Sequence, residues 1–218
     1  MEVLHEDNHI IIVNKLSGEI SQGDKTGDRT LSDKVKAYIK KKYNKPGDVY
    51  LGTTHRLDRP VSGAIIFAKT SKALTRLNAM FQDKLVQKTY WALCIEKPYP
   101  ASGNLIHYLV KDSKKNKTSA HQKEVKNSKR SELNYKYLKS MGNNHLVEVD
   151  PRTGRPHQIR VQLASIGCTI KGDLKYGAML PNQDKSICLH ARQLNFTHPV
   201  SKEKIQVTAP LPNAKVWK

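Results

Sequence analysis

Apolar residues in this chain come in short runs, several of them alternating strictly with polar residues, and turn-forming residues interrupt them from end to end. A two-residue period places successive side chains on opposite faces of a strand, whereas a helix needs a 3.6-residue period sustained for ten residues or more. The pattern therefore demands many short strands and leaves room for few helices. His9 to Val13 reads as a strand feeding the Ser17-Gly18 turn; Val49 to Leu51 and the apolar run Gly63 to Ala68 read as two more. Gln87 to Ile95 alternates, with Lys88, Tyr90, Ala92 and Cys94 on one face and Thr89, Trp91, Leu93 and Ile95 on the other. The second face is the better core face, which leaves Tyr90 to address a pocket. Leu133 to Tyr137, Leu146 to Val149, Ile187 to Leu194 and Ile205 to Thr208 continue the series.

Three helices fit between these strands. Thr30 caps a stripe of Leu31, Val35, Tyr38 and Ile39, with Asp33 in its first turn and a stop at Pro46-Gly47. Thr70 opens a second, through Leu74, Leu77 and Phe81. Pro156 opens a third running toward Gly167, with Ile159, Leu163 and Ile166 as its core stripe and His157, Arg160 and Ala164 on another face. The expected fold is α+β, a mixed and largely antiparallel sheet with a few flanking helices. At 218 residues the chain suffices for a single catalytic domain over 1–218, or for two closely packed subdomains.

Charge narrows the partner. Against 38 Lys and Arg stand 19 Asp and Glu, a formal net charge of +19, and such a field attracts polyanions because neutralised phosphates release their counterions. Residues 111–130 hold eight basic and two acidic residues, 8 − 2 = +6, and read as a flexible or hairpin-like excursion that contacts RNA, or else as a solvated connector. No signal peptide or membrane-length apolar run is evident, so a cytoplasmic location is expected; the chain is separately expected to be a monomer. Cys94, Cys168 and Cys188 are isolated in sequence and read as buried, reduced thiols rather than a zinc or disulfide framework. Gly18, Gly23 and Gly27 lack the spacing of a phosphate-binding loop and read as turns.

The densest chemistry lies in His55-Arg56-Leu57-Asp58-Arg59. An aspartate between arginines is either a surface ion-pair residue or a carboxylate kept ionised for use as a nucleophile or base. Arg160 is a candidate partner, able to orient Asp58 bidentately. Tyr90 is either a core tyrosine or an aromatic ring on which a displaced pyrimidine stacks, with a hydroxyl for hydrogen bonding.

Together with their context these residues resemble the pseudouridine synthase family, in the branch containing enzymes for large-subunit ribosomal RNA and some transfer RNA. The likeness is carried by His55-Arg56-Leu57-Asp58-Arg59-Pro60-Val61-Ser62-Gly63, by Lys88-Thr89-Tyr90-Trp91-Ala92 and by Thr153-Gly154-Arg155-Pro156-His157-Gln158-Ile159-Arg160. Leu163-Ala164, Gly172-Asp173, Tyr176-Gly177, Leu189-His190-Ala191 and Phe196-Thr197-His198-Pro199 extend it. Departures are Leu16, Val61 and Gln162, where many relatives have proline, threonine and histidine. The resemblance implies that Asp58 is the nucleophilic carboxylate, that Tyr90 stacks and moves a proton, and that Arg160 organises Asp58. It also implies that Arg56 fills the space a uridine leaves in its stack, and that Leu163 and Leu189 wall the pocket. His55, Arg59, Arg155 and His157 are expected to contact the RNA.

The implied reaction needs no cofactor or metal, because both exchanged bonds lie within one nucleotide. The expected substrate is large-subunit ribosomal RNA, ahead of transfer RNA. With no separate N-terminal RNA-binding domain expected, recognition falls to the catalytic surface or its basic excursion. Two competing readings are a metal nuclease, for which His55, Asp58, His157 and His190 show no demanding spacing, and a non-enzymatic RNA-binding or ribosome-assembly protein.

Overall fold

The two continuous apolar runs become strands buried on both faces. In a computed structural model describing residues 1–23 and 27–217, β2 (Ile10–Lys15) pairs antiparallel with β4 (Ser62–Ala68) along their whole length, Ile10 opposite Ala68 and Lys15 opposite Gly63. One face, with Ile10, Ile12, Ala64 and Ile66, packs against Ala73 and Leu77 of α2 (Ser71–Gln82). The other, with Ile11, Val13, Ile65 and Phe67, packs against Leu31, Val35 and Ile39 of α1 (Leu31–Lys42). A strand covered on both sides has no polar face, so it reads as a run rather than an alternation.

Both helices end where local chemistry stops them. Thr30 and Asp33 form a reciprocal capping box on α1, and the Thr70 side chain accepts the Ala73 amide at the start of α2. Helix α1 stops at Lys42, before Pro46-Gly47, because Asn44 adopts a left-handed φ of 46° and the next amide, of Lys45, bonds the Lys40 carbonyl at 3.0 Å. Edge strand β1 (Glu2–Glu6) pairs with β2, and β3 (Gly52–Thr53) pairs with β4. The expected strand at Val49 to Leu51 is thus displaced: Val49 is spent in the α1 core, and pairing begins at Gly52, where a Cβ would meet the Leu74 side chain at 2.8 Å. With β10 (Leu189–Thr197) and β11 (Lys204–Thr208), these elements make the sheet of the first of two compact units, Met1–Gln87 with Ala191–Pro212.

The second unit begins at Lys88, runs to His190 and resumes at Asn213. Its sheet follows the order β5 (Gln87–Cys94), β9 (Asn144–Pro151), β8 (Lys129–Met141), β6 (Ser102–Asp112), β7 (Lys117–His121), antiparallel throughout. Helix α3 (Gln158–Ser165) packs on β6 and β7, with Val161 and Ala164 against Leu109 and Ala120. It begins after Pro156, because His157 occupies the left-handed region at φ 55°. It ends at Ser165, before Gly167 turns at φ 76° and the Cys168 amide bonds the Leu163 carbonyl at 3.0 Å. All six residues from Gln158 to Leu163 are buried, so the expected one-sided stripe is replaced by a helix covered all round its first turns, and Ile166 is only half-buried. The basic segment 111–130 is an ordered hairpin carrying β7, pinned by the buried Thr118. Among the described residues no helix is long and apolar enough to cross a membrane.

Among the described glycines of the first unit, Gly63 has the least room for a side chain. It sits at φ +116°, and a Cβ there would lie 2.3 Å from the Ala191 carbonyl oxygen of β10. Gly63→Ala should destabilise folding by roughly 2–4 kcal/mol, the sum of overpacking and a left-handed alanine, read as a lowered urea midpoint at unchanged slope.

Candidate active site

Asp58 lies in the loop between β3 and β4, and the loop is held from beneath by a lysine. Lys15, at the end of β2, is fully buried. Its Nζ donates to the carbonyls of Val61 at 2.7 Å, Arg59 at 3.1 Å, Leu16 at 3.1 Å and Asp58 at 3.3 Å. Two of the departures, Leu16 and Val61, thus contribute backbone carbonyls, which any side chain would leave in place. Burial lowers the Lys15 ammonium to about 8, against the upward pull of the Glu19 and Asp58 carboxylates. Asp58 is itself half-buried. Further bonds lock the loop to residues 17–21: the Ser21 hydroxyl donates to the Leu57 carbonyl at 2.9 Å, Ser17 donates to Pro60 at 3.1 Å, and the Gly18 amide donates to Arg59 at 2.8 Å.

The other candidates in this loop divide. Arg56 is exposed. Arg59 is exposed too, but its Nε donates to Gly18 and its guanidinium approaches Asp28 at 3.4 Å. His55 has a structural occupation: Nε2 accepts the Ile66 amide at 3.1 Å and the ring packs 4.8 Å from that of Phe81. That fixes its neutral tautomer, with Nε2 as acceptor.

In the second unit Arg160 is buried, and one edge of its guanidinium is committed to Asp173, Nε to Oδ2 at 2.7 Å and Nη2 to Oδ1 at 2.8 Å. A bidentate pair of this kind fixes the plane of the guanidinium as well as its charge. The Tyr176 ring lies 5.0 Å from Cζ, and its hydroxyl accepts the Thr118 amide at 2.8 Å and bonds His157 Nδ1 at 2.8 Å. His157 and Arg160 therefore share one neighbour, Tyr176. Arg155 is exposed, and its Nε donates to the Arg130 carbonyl at 3.4 Å. Leu163 and Leu189 are buried. Gln162, the third departure, is fully buried and spends its amide on the Leu105 carbonyl and His107 Nδ1, both at 3.1 Å.

The Tyr90 face of β5 is covered as well as the Trp91 face. Directly paired residues share a sheet face. Tyr90 pairs with Val149 and Ala92 with Val147, both fully buried, and Val149 in turn pairs with buried Tyr135. Ala92 and Cys94 on the Tyr90 face are fully buried, and Tyr90 is half-buried at the margin. On the Trp91 face, the expected core face, Leu93 and its partner Leu146 are buried, while nearer the start of the strand Trp91 Nε1 donates to Glu148 at 3.3 Å and Thr89 donates to Asp150 at 2.9 Å. Alternation shows two faces but not that both are covered.

Lys15, Asp173 and Tyr176 had no assigned role in the sequence. Asp173 and Tyr176 fall within the quoted Gly172-Asp173 and Tyr176-Gly177 pairs; Lys15 offered only an unusual position, at the end of an otherwise apolar run. The three cysteines, isolated in sequence, all interact in space: Cys94 is hydrogen-bonded to Cys168 and feels Cys188, and its thiol is pushed well up by that bond and by burial. Cys188 is raised to about 11 by burial, so Cys94 and Cys188 are unreactive thiols. Among the described residues no group of His, Cys, Asp and Glu is arranged to hold a metal ion.

Two outcomes test these anchors. Lys15→Met removes the donors of four carbonyls and should cost about 2–4 kcal/mol of stability at pH 7, measured by urea unfolding. Since the folded pKa lies below the ordinary 10.5, the unfolded chain holds more protons between pH 8 and 10.5. The wild-type advantage over Lys15→Met should therefore grow with rising pH through that window, by on the order of 3 kcal/mol. Asp173→Ala strands a buried guanidinium and should cost about 3–5 kcal/mol, with Asp173→Asn less damaging.

Comparison with known proteins places these motifs. A family model described as RNA pseudouridylate synthase matches residues 9–165. The ribosomal large subunit pseudouridine synthase C of Vibrio cholerae is 31% identical over 215 residues, 96% of this chain and 65% of that protein. The protein of the same name from Rickettsia bellii is 33% identical over 214 residues, 97% of this chain and 68% of that one. The chain thus spans about two thirds of the length of these relatives. Among solved structures, human RNA Pseudouridylate Synthase Domain Containing 4 superposes with a TM-score of 0.81 at 25% identity, over 97% of this chain and 89% of that one.

Proposed function

Because this chain belongs to the RNA pseudouridylate synthase family, we propose that it isomerises one uridine of a structured RNA to pseudouridine, with Asp58 as the catalytic carboxylate. The observation that carries the assignment is the Asp58 loop, anchored by the buried Lys15 and by Ser17, Gly18 and Ser21. A surface ion-pair aspartate needs no such anchorage, whereas a group that must meet a sugar carbon gains from a backbone that cannot shift.

The reaction breaks the uracil N1 to ribose C1′ bond, turns the base and joins C5 to C1′. The proton lost from C5 balances the one gained at N1, so substrate and product are isomers. Asp58 supplies negative charge at the sugar, as nucleophile toward C1′ or as base toward a sugar proton. Tyr90 stacks on the base and handles the C5 proton, and Arg160, its plane set by Asp173, organises the carboxylate. Arg56 enters the RNA stack in place of the uridine; Arg59, Arg155 and His157 meet the RNA, and Leu163 and Leu189 wall the base pocket. The names of the bacterial relatives favour large-subunit ribosomal RNA over transfer RNA. The target uridine belongs in a loop, bulge or end, where unstacking costs least.

Asp58→Asn keeps the side-chain volume and removes the reactive oxygen. Incubated with total RNA from cells lacking the gene, wild type should leave a discrete mark in a nucleotide-resolution pseudouridine map. Asp58→Asn should leave none while retaining salt-sensitive RNA binding. Tyr90→Phe should bind nearly normally and turn over at least about 100-fold more slowly. Equal marks from wild type and Asp58→Asn sink the assignment.

A further inference from the structure

The hairpin turn at residues 113–116 and the 3₁₀ turn Leu174–Tyr176 meet within the second unit. Lys175 Nζ donates to the Asn116 carbonyl at 2.8 Å, and the Tyr176 hydroxyl accepts the Thr118 amide at 2.8 Å. Lys117 Nζ stands 5.7 Å from the centre of the Tyr176 ring. Lys114, Lys115 and Lys117 are exposed, and none of them is in an ion pair among the described residues. The acid beside them, Asp112, spends an oxygen on the Lys115 amide at 3.0 Å.

In and just after this 3₁₀ turn the chain holds apolar side chains out in water. Leu174 is 54% exposed, Met179 92% and Leu180 77%. They do not sit on a loose strand of chain. The Asp173 carbonyl accepts the amides of Tyr176 at 3.0 Å and Ala178 at 3.1 Å, Gly177 turns at φ 112°, and Asn182 closes the segment onto the Ser186 carbonyl at 3.0 Å. Folding alone gives no reason to fix large apolar groups in solvent, and a patch of this kind among charges marks a binding surface.

We propose that these two turns form one RNA-binding surface, on which Lys114, Lys115 and Lys117 take backbone phosphates and Leu174, Met179 and Leu180 take the faces of unstacked bases. The charge complementarity is that of a polyanion. The apolar groups suit the base faces that a single-stranded loop exposes and a duplex hides. The surface is built onto the Arg160 region, since Tyr176 carries both the Thr118 bond and the ring against the Arg160 guanidinium. The proposal rests on RNA being the substrate and extends that reading to a contact site that none of the catalytic roles requires.

The test is binding of fluorescein-labelled dodecauridylate by the full chain across a salt series. Lys114→Gln/Lys115→Gln/Lys117→Gln should weaken affinity at least tenfold at low salt. It should also flatten the slope of log Kd against log salt by about 2, since each single-strand phosphate contact contributes roughly 0.7. Met179→Ser/Leu180→Ser should weaken affinity about three- to tenfold at every salt concentration with the slope unchanged. Every substituted side chain is exposed, so melting temperatures should match wild type, and circular dichroism checks this. Unchanged affinity and slope in the lysine variant, or unchanged affinity in the apolar one, overturns the surface. Binding requires no turnover, so the two readings fail separately. Loss of binding in these variants, with no pseudouridine from wild type, keeps the surface and removes the activity. Wild-type product with undiminished binding by the variants does the reverse.

Discussion

An ammonium group with no exposure to water is expensive, and Lys15 is tolerated only because the chain around it is arranged to receive it. Three N–H donors meet four carbonyls, and three of those carbonyls belong to the loop of Asp58. The arrangement works in both directions. The carbonyls hold the cation, and the cation dictates where the loop backbone runs. Because Lys15 stands opposite Gly63 in the β2–β4 register, the anchor is continuous with the most deeply buried part of the first unit. Asp58 is therefore placed by a core, although it stands in a loop.

The second unit solves a similar problem with a different pair. Arg160 is enclosed by a helix covered on all sides through its first turns, and Asp173 receives it in a two-bond fork. Tyr176 then joins this pair to the basic hairpin through Thr118. The cations of this protein thus fall into two populations. Lys15 and Arg160 are interior, matched, and set the positions of other groups. Arg56, Arg155 and the hairpin lysines are exposed and contribute to a field of +19, which attracts polyanions and cannot by itself select one base.

Much of this was legible before any coordinates. The continuous runs at residues 10–13 and 63–68, the Thr30 and Thr70 caps, and the motif around Asp58 each depend on neighbours a few residues away, and each appears where the residues indicate. Strand β6 passed unrecognised because Ser102 to Asp112 mixes polar and apolar residues on both faces. The third helix starts late because His157 takes a left-handed backbone that Pro156 does not foretell.

The sequence by itself determined the fold class, the family-like motifs and the basic surface, because period, capping and net charge are sums over local residue types. Only the tertiary structure decided that both faces of β5 are covered, that Lys15 lies beneath the Asp58 loop, and that Asp173 and Tyr176 hold Arg160. It also brought Cys168 and Cys188 within reach of Cys94. Each of these is set by which residues from far along the chain share an interior, and a buried charge or a covered face is defined only by such partners. Lys15 and Asp58 are 43 residues apart, and nothing in either neighbourhood records that one will lie beneath the other.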